Sequence, residues 1–148
     1  MRVTDEQMAL LRAYLAGQAE QAERARVLVA RSGDVEGAAA LVYAAFAIMA
    51  RRKFSPTWTR AEIIRFTGQV RALLSDQPDL LDPLAAEHQL RGALGEKLTV
   101  YPGEEAKARA QVVLLDALVH DADLDDAAII DLLSQARDLA HRLPVNSG

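Results

Sequence analysis

The chain has 148 residues, 51% hydrophobic and 26% charged, with a net charge of −4 and no cysteine. That composition excludes a disordered tail, a membrane protein, a disulfide scaffold, a thiol nucleophile and any cysteine-built metal centre. The length suits one domain that hides roughly 70% of its unfolded surface, and the acidic balance disfavours nonspecific attraction to nucleic acid or anionic membrane.

In chain order, the first helix is predicted to start at Thr4, where Gln7 completes a capping box and Val3 can staple to Met8. Gly17 should interrupt it, with a second stretch from Gln18 to Arg31, and Ser32-Gly33-Asp34 supplies a stop and a fresh cap together. From Val35 to about Lys53 runs a helix that is apolar all round, so it should be the central element with other helices about it. Both Phe46 and Ile48 are expected to be buried.

Thr59-Arg60-Ala61-Glu62 is the clearest helix start, with Glu62 reaching back to its cap. The helix that follows should bury Ile63, Phe66, Thr67, Val70, Leu73 and Leu74. Asp82 caps the next helix, Pro83 opens it and Gly95 closes it. A long helix from about Glu104 to His120 should bury Ala108, Val112, Leu115 and Val119. The last helix opens at Asp125, with Leu124 stapled to Ile129, and should bury Leu132, Leu133, Ala136, Leu139 and Leu143. Residues 144–148 form a tail.

No stretch alternates as a strand would, and no repeat is visible. The reading is all-α: one domain over 1–148, a single bundle of six to seven helices around the central helix at about 35–53. The acidic start Met1-Arg2-Val3-Thr4-Asp5-Glu6 does not fit a signal peptide. The longest uncharged stretch, between Glu36 and Arg51, falls short of the roughly 20 residues that span a bilayer. A cytoplasmic location with no membrane contact is expected. With 28 alanines, and 14 arginines against 3 lysines, the chain has the bias of a GC-rich bacterial coding sequence.

Trp58-Thr59-Arg60-Ala61-Glu62-Ile63-Ile64-Arg65-Phe66, then Asp82-Pro83 and Leu124-Asp125-Asp126, resemble small all-helical proteins of unassigned function from GC-rich bacterial genomes. These are capping and packing residues, so the resemblance implies a fold and carries over no functional residue.

Charge is unevenly placed. Residues 51–71 hold Arg51, Arg52, Lys53, Arg60, Arg65 and Arg71 against Glu62 alone, a sum of +5, while residues 72–148 sum to −8. The basic block with Trp58 could bind phosphates, but the gaps between its helices are too long for a helix-turn-helix. Its first three cations also suit a helix C-terminus. Nucleic acid is therefore the second reading.

Asp116 with His120, and Asp138 with His141, can each share a helix face, yet neither pair matches the Glu-x-x-His of helical di-metal sites. Residues 121–126 resemble a calcium loop but place Asp126 where glycine is needed and Leu132 where a bidentate glutamate is needed. No serine lies in a nucleophile elbow, and Glu87 and His88 point about 100° apart. No catalytic residue, metal or cofactor is assigned. An enzyme with a site dispersed between helices is the third reading.

Gly68 sits mid-helix, opposite the buried stripe, where glycine costs about 1 kcal/mol relative to alanine. Ala61, Ile64 and Ala72 surround it, flanked by Arg65 and Arg71. This small-residue seam should receive another helix, either a neighbour in the same chain or a second copy. The favoured function is a non-enzymatic interaction protein, a homodimer or the partner of another protein, with Ala61, Ile64, Arg65, Gly68, Arg71 and Ala72 as its candidate interface.

Overall fold

The computed structural model describes residues 1–32, 35–74, 76–98 and 102–143, without the side chains of 28–32. The expected stop and cap at Gly33-Asp34 and the tail at 144–148 lie outside the described residues. Those described hold no strand and seven α-helices. These are α1 (Asp5–Leu15), α2 (Ala19–Ser32), α3 (Val35–Lys53), α4 (Arg60–Leu73), α5 (Pro83–Ala93), α6 (Glu104–Asp121) and α7 (Asp126–Arg142). A single 3-10 turn, Pro78–Leu80, precedes α5. No described helix is long and apolar enough to cross a membrane.

The helices group into two compact units, Met1–Ala45 with Ala122–Gly148, and Phe46–Asp121. In the first, α1 packs on α2 and on α7. Thr4 caps α1 as expected: its hydroxyl accepts from the Gln7 amide, and its own amide donates to the Gln7 side chain at 3.0 Å. Gly17, at φ +73°, ends α1. Its N–H bonds to the Tyr14 carbonyl and that of Gln18 to the Ala13 carbonyl, at 3.1 and 2.9 Å, a closure that needs the left-handed backbone glycine tolerates. Asp125 caps α7 through the Ala128 amide at 2.8 Å. Leu15, Leu41, Ile129, Leu132 and Leu133 are the large side chains fully buried here.

In the second unit, α4 packs on α5 and α5 on α6. Thr59 caps α4, but Glu62 returns to the Thr59 hydroxyl rather than to its backbone N–H. Asp82 caps α5, Pro83 opens it, and Gly95, at φ +100°, closes it with the same paired bonds as at Gly17. Phe46, Ile63, Leu81, Leu90, Leu114, Leu115 and Leu118 fill the core. The Phe54 and Phe66 rings meet edge to face at 5.8 Å.

Expectations about burial need correction on four helices. Along α3, Phe46 is fully buried but Ile48 only partly, and Val35 at the helix start is exposed, so only its middle is enclosed. Leu73, in the last turn of α4, is 82% exposed, and Leu74, at its C-cap, is only partly buried. Leu139 and Leu143 of the last helix are only partly buried. On α6, Ala108 is exposed and Val112 half-buried, while Ala110, Gln111, Leu114 and Leu118 join Leu115 and Val119 in the core. The apolar arc of α6 is broad, interrupted on the side that carries Glu105, Arg109, Asp116 and His120. Within that arc the buried Gln111 amide donates to Gln89 of α5 at 2.8 Å.

Candidate interaction site

The basic block at residues 51–71 is largely consumed within its own unit. The Arg51 guanidinium donates to the Ala93 carbonyl, at the last turn of α5, at 2.9 Å. Lys53 pairs with Asp121 at 2.8 Å and lies 5.5 Å from the centre of the Phe66 ring. Arg71 donates through Nε to the Leu81 carbonyl at 3.0 Å and reaches that of Pro78 at 3.4 Å, tying the loop before α5 back onto α4. Arg60 forks onto both oxygens of Glu87. Two of these partners, Glu87 and Asp121, belong to the acidic later part of the sequence. Opposite charges along the chain therefore meet within the fold, and little of the basic block is left to form a phosphate-binding surface.

Glu87, weighed in the sequence only beside His88, is the hub of a charge cluster. It is buried, it accepts from Arg60 and also from Arg91, one helical turn on at 3.3 Å, and Arg91 in turn holds Glu96 at 2.7 Å. The hydrogen bond from Arg60 holds the Glu87 carboxyl below the usual carboxylate range, with burial opposing. The Arg91 hydrogen bond does the same for Glu96, and the two guanidiniums are raised in return. A carboxyl kept ionised between two guanidiniums is a poor general acid and a good clamp. The signal was available in the i, i+4 spacing of Glu87 and Arg91.

The metal-spaced pairs part company. Asp116 and His120 do meet, at 3.2 Å, and burial pushes the Asp116 carboxyl up against the lowering effect of His120. His141 instead accepts from the backbone of residue 3. Among the described residues no three histidines, aspartates or glutamates gather as metal ligands. Asp125 of the acidic run serves as a cap, as read from the sequence.

The outer face of α4 is open. Ala61, Arg65, Gly68 and Ala72 are exposed and Ile64 is 52% exposed. A Cβ built on Gly68 would meet nothing within 4 Å, so no described residue packs against this glycine. Arg71 stands at the margin, half-buried and turned toward the loop it binds. The structure thus brings Ala61, Ile64, Arg65, Gly68 and Ala72 onto one solvent-facing strip and gives Arg71 a structural task. No protein-family model, curated protein or solved structure matches the chain.

Proposed function

We propose that the protein is a non-enzymatic, cytoplasmic interaction protein, of bacterial origin by its codon-driven composition, that associates with itself through the outer face of α4. The observation that carries this reading is the uncovered glycine of that face, with Ile64 standing half in solvent beside it. An exposed mid-helix glycine costs about 1 kcal/mol, which a close helix–helix contact would offset. The face is also self-complementary. A two-fold axis at Gly68, with the helices antiparallel, sets Ile64 of each copy over Ala72 of the other, one turn to either side of the axis. Arg65 then lies at the rim. Nucleic-acid binding has less support, since Arg51, Lys53, Arg60 and Arg71 are engaged inside the unit.

Sedimentation of the wild type and of Gly68→Leu tests the reading. The wild type should be a dimer at high micromolar concentration, and the variant a folded monomer. A wild type that sediments as a monomer there would sink it. Added salt should weaken the dimer only modestly, because rim charges are screened.

A further inference from the structure

In the first unit, one peptide group is gripped from two sides. The carbonyl of Arg2 rests on α3 at Gly37, so closely that a Cβ there would stand 1.9 Å from the Arg2 oxygen. The N–H of the same peptide group, carried by Val3, donates to Nε2 of His141 on α7 at 3.4 Å. Gln7, which caps α1 through Thr4, lines the same spot, with Oε1 3.1 Å from that Cβ position. Val3 itself is 4% exposed. The contact is part-buried, with Val3 enclosed and His141 at the surface, so the imidazole is open to protons from solvent.

Nε2 can accept only while it carries no proton, and a protonated imidazole presents N–H at both nitrogens. We propose that the Arg2–Val3 peptide group and His141 form a proton-operated latch, in which the first residues are held on α3 and α7 while His141 is neutral and are released when it takes up a proton. The charged groups nearest this contact in sequence are Arg137, Asp138 and Arg142 on α7, Asp5 and Glu6 on α1, Glu36 on α3, and Arg2 with the Met1 amino group in the first residues. Of these, Arg137 and Asp5 hold each other at 3.0 Å. That pair joins α1 to α7 at the surface and does not involve the Val3 N–H. Release exposes Val3 and the bare backbone of α3 at Gly37.

The test uses the full-length, isotope-labelled chain, following the Val3 amide and the His141 ring by NMR between about pH 8 and pH 5. Protection of the Val3 amide, corrected for its intrinsic exchange rate, should fall about tenfold as His141 gains its proton, the loss of one hydrogen bond. In His141→Gln the side-chain oxygen still accepts, and protection should hold to the acid end. His141→Leu should leave the amide unprotected throughout. Val3 protection that does not change with pH in the wild type, or that falls equally in His141→Gln, overturns the latch. So does simultaneous loss of protection at Leu132 and Ala136, which would mean the whole unit opens.

Discussion

Gly37 and Gly68 are both glycines inside helices, and a propensity scale treats them alike. At Gly37 a side chain would strike the Arg2 backbone, whereas at Gly68 it would enter open space. The first glycine is required by another segment of the same chain. The second is required by nothing among the described residues, and its cost stands uncompensated in the single chain. A helical glycine therefore marks a close approach only when something is there to approach.

Substitutions can break or sharpen this contrast. The largest effect should come from subtracting atoms where packing is complete: Phe46→Ala, at a fully buried side chain, should cost about 3–5 kcal/mol in thermal or denaturant unfolding. Next comes adding atoms where there is no room. Gly37→Ala should lose about 1–3 kcal/mol by overpacking, although alanine is the better helix former. A gain in stability there would erase the difference between the two glycines. Gly68→Ala should do the opposite and raise monomer stability by about 1 kcal/mol, measured at a concentration too low for self-association.

The smallest effect is electrostatic. Glu87 and Glu96 have lowered carboxyl pKa values in the folded state, so their contribution is present above the unfolded value and disappears as pH falls through the folded one. Asp116 is raised, so its contribution has the opposite sign: protonation on acidification relieves a buried charge. With two carboxyls against one, stability should decline on the acid side of about pH 4. Glu87→Gln should flatten that decline, and an unchanged acid limb would deny Glu87 its place in the clamp.

Much of the fold was legible because it is written in local chemistry. The caps at Thr4, Thr59, Asp82 and Asp125, and the closures at Gly17 and Gly95, depend on residues within a turn of one another. What lay beyond reach depends on segments distant in sequence. Gly37 sits in an alanine-rich run, and nothing near it announces that Arg2 will arrive. Arg60 and Glu87 are separated by a helix and a loop, so their pairing could be anticipated only as a charge balance. Of the candidate interface, the shared strip was readable from helical periodicity, but the loop that captures Arg71 was not.

The Gln111–Gln89 amide pair has a further consequence. Within the broad apolar arc of α6, leucine and valine could satisfy the hydrophobic effect at neighbouring rotations that keep its charged side in solvent. Only one rotation lets the two buried amides find each other. Replacing both with leucine should therefore leave melting little changed or even higher, yet broaden the side-chain NMR spectrum as α6 samples more than one register against α5. The pair's contribution is to the uniqueness of the native state, a quantity that a melting temperature does not record.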